Sequence, residues 1–149
     1  MQLPPVEFAG SVRMDDTSSI SLVKRTAVAS AAIKMKQETV RLLHARSHPK
    51  GDALACGRIA GITAAKKASE LIPLCRNVPL DDIDLDFYVG GDKVIITASV
   101  VTRSVTGVEM EALTAASIAA LTIYDMCKSI DATMVIGPVY LCAKVKENP

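Results

Sequence analysis

The segment from Thr106 to Lys128, TGVEMEALTAASIAALTIYDMCK, limits the fold more than any other stretch. Its Ala, Leu and Met content favours helix, no proline interrupts it, and Thr106 with Gly107 gives a polar start, so it predicts a helix reaching Ser129. Ala112, Ala115, Ala116, Ala119 and Ala120 fall at the spacing of one helix face. With nothing longer than a methyl group on that face, another backbone can approach closely. A second run, Ala53 to Glu70, repeats the device at Ala53, Gly57, Ala60, Gly61, Ala64 and Ala68. Asp52 is placed to cap it and Pro73 stops it. The two stripes predict helices lying unusually close to each other or to a partner.

Strands surround these helices. Val23 to Met35 has period two, with Val23, Arg25, Ala27, Ala29, Ala31, Ile33 and Met35 on one side. Asp82 to Val89 alternates apolar residues with acids and Tyr, and Lys93 to Val101 continues beyond Gly90 and Gly91, which predicts a hairpin. Thr133 to Lys144 is a last strand, with Gly137 and Pro138 marking a bulge or an edge. Gln37 to Ala45 is a short helix, Ser47 to Asp52 a loop, and Arg13 to Ser21 polar and turn-like. Residues 1–12, with Pro4, Pro5 and Gly10, are expected to form a flexible arm, leaving 13–149 as a single domain. The fold class is therefore α+β, a ferredoxin-like βαββαβ antiparallel sheet with helices on one face.

Composition narrows the function. Net charge is +1 and aromatics are 3% of the chain, with no Trp, which argues against a nucleic-acid partner. Half the residues are hydrophobic and mean hydropathy is +0.30, so apolar surface is left for a homo-oligomer to cover. Cys56, Cys75, Cys127 and Cys142 stand singly, without a C-x-x-C pair, and read as small buried hydrophobes in a reducing compartment rather than zinc ligands. His44 and His48 read as surface or loop residues, His48 being of interest only because it lies beside Lys50. No stretch has transmembrane length, and MQLPPVEFAGSVRMDD shows neither a basic n-region nor an apolar h-region, so a cytoplasmic protein without a membrane partner is expected.

The charges of the alanine helix are unevenly placed. Asp125 and Lys128, three residues apart, share a face at its C-terminal end. Glu111 and Asp125 return to nearly the same side but lie roughly 21 Å apart along the axis. One small substrate could hardly touch both on one straight helix, so a joint site would draw its far end from a second copy. On spacing alone, Glu109, Glu111, Asp125 and Lys128 are better explained as solvated helix-end charges, with Asp125 and Lys128 a surface ion pair of little worth.

The segments KGDALACGRIAGITAAKKASELIPLC (50–75), TGVEMEALTAASIAALTIYDMCK (106–128) and MVIGP (134–138) together resemble the MoaC family. These are the cyclic pyranopterin monophosphate synthases of molybdenum cofactor biosynthesis. MDD (14–16) and RTAVAS (25–30) resemble the family's N-terminal region. The resemblance implies a ferredoxin-like subunit in a homohexamer, a trimer of dimers with its active site at the dimer interface. It implies a lyase that rearranges a GTP-derived cyclic nucleotide, cyclised dihydro-GTP, to cyclic pyranopterin monophosphate and releases pyrophosphate. No cofactor is required by the sequence, and magnesium is left open.

Carried onto matching positions, the family's functional residues are Lys50, Glu109, Glu111, Asp125 and Lys128, with Cys75 and Met110 beside them at the substrate. Arg25, Lys66 and Lys67 suit phosphate, although Lys66 and Lys67 are equally plausible as solvated helix residues. Lys50 and Lys128 are expected to move protons, with pKa values lowered by crowding or desolvation. Asp125 would orient Lys128, and Glu109 and Glu111 would hold ribose or pterin groups. One position departs from the pattern: after LIPLC the family has His, whereas this chain has Arg76. Arginine stays protonated and only donates, so it replaces a proton carrier poorly and turnover is expected to be weakened or blocked. A catalytically inactive module binding a nucleotide or pterin is the alternative; a purely structural domain would leave the charged set without purpose.

Overall fold

The computed structural model describes residues 10–148, so most of the expected N-terminal arm, residues 1–9, lies outside the described residues. Its elements run β1 (Val23–Lys34), α1 (Gln37–His44), α2 (Ala53–Leu71), β2 (Asp82–Gly90), β3 (Lys93–Ser104), α3 (Glu109–Cys127) and β4 (Val135–Lys146). The four strands form one sheet in the order β2-β3-β1-β4, with every neighbouring pair antiparallel. This is the ferredoxin-like arrangement expected from the sequence, with the short α1 added to the first crossover.

Alternation decides which side of the sheet is covered. On β1, Val23, Ala27, Ala29, Ala31 and Ile33 are buried, and opposite them β3 buries Val94, Ile96, Ala98 and Val100. The central part of this floor is largely Ala, so α3 can settle close to it with Ala112, Ala115, Ala116, Ala119 and Ala120 fully buried. The stripe of α2 then meets α3 at its glycines. A Cβ on Gly57 would sit 3.2 Å from Ile123 Cγ1, and one on Gly61 would sit 2.5 Å from Leu85 Cδ2 and 3.0 Å from the Ala115 carbonyl oxygen. Rising numbers on α2 meet falling numbers on α3, so the helices are antiparallel. Their close approach fixes what each end can reach.

Element ends follow local chemistry. The Asp52 carboxylate accepts the amides of Leu54 (3.1 Å) and Ala55 (3.0 Å), the expected cap of α2. Helix α3 starts at Glu109 rather than in the Thr106–Gly107 pair, because Val108 is non-helical and fully buried. Helix α1 has no cap of its own; Asp131, just after α3, supplies one by accepting Lys36 N and Thr39 Oγ1, each at 2.9 Å. On β4 the Gly137–Pro138 peptide is cis and coincides with a shift in register against β1, so both the bulge and the edge expectations hold. The cysteine expectation holds for Cys127, which is buried, but not for Cys56 and Cys142, which are exposed. Cys56 lies off the buried stripe of α2, and Cys142 lies on the edge strand β4.

Candidate active site

The antiparallel helices sort the sequence-selected residues into two clusters, one at each end of α3. At the N-terminal end, Cys75, Arg76, Glu109, Met110 and Glu111 line one cavity of about 250 Å³, together with Arg13 and Asp15. Glu111 is only 4% exposed, which rules out a solvated helix-end charge at this position. It lies four and eight residues before Ala115 and Ala119, and so continues the buried stripe. Its Oε2 accepts the Cys75 thiol at 3.6 Å. Burial is the main cause that raises the Glu111 pKa, opposed by a bond to its own backbone amide and by the Cys75 thiol, while the neighbouring Glu109 raises it further. Burial, then Glu111, pushes the Cys75 thiol up to about 11, so Cys75 is a donor and not a thiolate.

Glu109 also lines a second hollow of about 210 Å³, which it shares with Arg25, Lys144 and Lys146. Lys144 Nζ lies 3.5 Å from Glu109 Oε1. The Arg25 guanidinium donates to the carbonyls of Ser104 (3.4 Å) and Val105 (3.3 Å), which fixes it at the mouth of β3. Lys144 and Lys146 were missed by the sequence reading; their signal is the register that sets them opposite Ala27 and Arg25. Arg76 Nη2 donates to the Asp15 carbonyl, so the guanidinium ties the segment before β1 across the first cavity.

The other cluster is open. Lys128 Nζ is 2.9 Å from Asp125 Oδ1, and both side chains are well exposed. Their contact lowers the Asp125 pKa and raises that of Lys128. The expected lowering at Lys128 is therefore reversed in the single chain, because an adjacent carboxylate outweighs desolvation at an exposed site. The charge of Lys50 also acts on Asp125 and on Cys127, which brings the loop before α2 to this end of α3. His48 lies in that loop, one of its two expected placements, but is buried rather than at the surface: it is 6% exposed and its Nδ1 accepts the Lys50 amide at 2.9 Å. Lys66 and Lys67 are exposed on α2 and line neither cavity, as solvated helix residues would.

One chain thus brings Cys75, Arg76, Glu109, Met110 and Glu111 together, and separately Lys50, Asp125 and Lys128. It does not join the two groups. Among the described residues no group of three His, Cys, Asp or Glu side chains could hold a metal, and no helix is long and apolar enough to cross a membrane.

Residues 14–147 match the MoaC family. The chain is 49% identical over 143 residues to a cyclic pyranopterin monophosphate synthase of Corynebacterium glutamicum, covering 96% of this chain and 92% of that protein. A synthase of the same name from Listeria monocytogenes is 52% identical over 133 residues, 89% of this chain and 83% of that protein. A molybdenum cofactor biosynthesis bifunctional protein of Chlorobaculum tepidum is 50% identical over 141 residues; the chain spans 95% of its own length there but only 45% of the relative's.

Proposed function

The chain belongs to the MoaC family, and from that premise we propose that it is a cyclic pyranopterin monophosphate synthase of molybdenum cofactor biosynthesis. It acts as a lyase on cyclised dihydro-GTP, forming cyclic pyranopterin monophosphate and releasing pyrophosphate. The observation that carries this reading is the near end-to-end match to the Corynebacterium glutamicum synthase, 92% of that protein's length. The two clusters are what such a reaction asks for. Arg25, Lys144 and Lys146 form a cationic hollow suited to phosphate oxygens. Glu109 and Glu111 are acceptors for ribose hydroxyls or pterin N–H groups, and Met110 and Cys75 wall that side. Glu111, with its raised pKa, is also fitted to take and return a proton.

Lys128 and Lys50 provide the cationic end. Because Asp125 keeps Lys128 protonated, Lys128 enters the reaction as an acid or a phosphate partner until substrate displaces Asp125. Ring opening and closure need both ends within reach of one molecule, yet they stand roughly 21 Å apart on α3. A second copy of the chain would supply the missing end, within a homohexamer built as a trimer of dimers. Any magnesium that takes part would be held by the substrate's phosphates, and the protein would work in the cytoplasm.

Arg76 stands where the family resemblance places His. Its bond to the Asp15 carbonyl gives it a strap-holding role and no proton to exchange, which favours a second reading: a module that binds the nucleotide but turns it over poorly. The test is single-turnover product formation by this chain and by Arg76→His under identical conditions. The proposal predicts product from at least the His variant; binding without product in both would leave only the second reading, and no binding would remove both.

A further inference from the structure

Among the described residues, one buried side-chain nitrogen or oxygen lacks any hydrogen-bond partner, and it lies in the lysine loop: Nε2 of His48. The opposite nitrogen, Nδ1, accepts the Lys50 amide, so the ring proton sits on Nε2. A buried donor without a partner is a stability cost, and buried polar groups are usually satisfied. Solvation does not account for this ring, and neither does a loop of Ser, Pro, Lys and Gly that would otherwise lie in water.

The loop is a continuous run of local bonds. Gly51 N donates to the His48 carbonyl at 3.0 Å, and Gly51 takes φ +111°, a conformation that favours glycine. Asp52 follows at once and caps α2. Inside this turn the only side chain holding the Lys50 backbone is the His48 ring. We propose that His48 is the positioning residue of the lysine loop: its buried ring and its Nδ1 bond to Lys50 N–H aim the Lys50 ammonium at the Asp125 end of α3. The consequence for catalysis rests on Lys50 belonging to the reacting set; the consequence for the loop does not.

The experiment compares the unmutated chain with His48→Ala, His48→Phe and His48→Asn. Phe keeps a buried ring without an acceptor, whereas Asn Oδ1 can accept the amide two residues on, as in an Asx-turn. Hydrogen exchange of the Lys50 amide, read by NMR, is expected to be slow in the unmutated chain and in Asn, and fast in Ala and Phe. In an Arg76→His background, kcat is expected to fall roughly 10- to 100-fold in Ala and Phe, the size of effect a misplaced group produces, and to recover largely in Asn with KM little changed. Rapid exchange at Lys50 in the unmutated chain would overturn the proposal, as would an Asn variant no better than Ala and Phe. If the Arg76→His chain does not turn over at all, the proposed function fails, while the amide exchange still decides whether His48 holds Lys50.

Discussion

Glu111 and Asp131 are two carboxylates buried to the same degree, 4% and 2% exposed, and they are treated in opposite ways. Asp131 accepts four bonds, from Lys36 N, Thr39 Oγ1, Thr133 N and Thr133 Oγ1. Burial alone would raise its pKa, but these donors together hold it well below the usual carboxylate range. Glu111 has its own amide and one thiol, so burial wins and its pKa rises. Burial alone therefore does not set which way a carboxyl pKa moves; the supply of donors does. Asp131 joins the start of α1 to the turn before β4, whereas Glu111 faces a cavity with acceptor capacity to spare.

The sharpest way to break this contrast is Glu111→Gln. In an Arg76→His background, turnover is expected to fall roughly 10²- to 10⁴-fold, the usual contribution of a positioned acid or base. The folded chain should become more stable at neutral pH, because the cost of a buried, under-bonded carboxylate is removed. Thermal unfolding checks the sign. With a folded pKa above the unfolded value near ~4.3, ionised Glu111 costs stability as pH rises through its folded pKa, so the advantage of Gln should vanish below about pH 4. A variant that loses stability as well as activity would place Glu111 with Asp131.

Asp131→Asn should do the reverse. It turns an NH2 donor toward donors already in place, and a loss of roughly 3 kcal/mol of unfolding free energy is expected, read in urea. Because the folded pKa of Asp131 is depressed, its contribution is present above the unfolded value of ~3.9 and is lost as pH falls from there through the folded value. The stability difference between Asp131→Asn and the unmutated chain should shrink over that acid window. A smaller effect comes from Cys75→Ser, which gives Glu111 a stronger donor. The Glu111 carboxyl, followed by NMR titration, should move down toward its ordinary value, and no movement would mean that the Cys75 contact does not tune it.

Much of this was legible in the chain. Alternation in 23–35 and 82–101, the Gly90–Gly91 turn and the two small-residue stripes are local patterns, and local patterns gave the strands, the hairpin and the close pair α2 and α3. Glu111 could have been found from the same stripe, since it precedes Ala115 by one helical repeat, but a carboxylate reads as exposed by residue type alone. Asp131 could not: its partners Lys36 and Thr39 are 95 and 92 residues away, and only the folded sheet brings them together. His48 was hidden by polar neighbours, and the reversed pKa of Lys128 by the exposure that lets Asp125 dominate it. Lys144 and Lys146 needed the β1–β4 register.

The contrast also defines the central claim, that Glu111 at one end of α3 and Lys128 at the other serve one site across two copies of the chain. Subunit mixing tests it most directly. In an Arg76→His background, Glu111→Gln and Lys128→Ala chains would each be inactive alone, then unfolded together, refolded and assayed. Random pairing at a two-fold interface puts both defects into one site and leaves the other intact in half of the dimers, so about a quarter of the unmutated activity should return. No recovery from folded, mixed oligomers would contradict the account and confine each active site to a single copy.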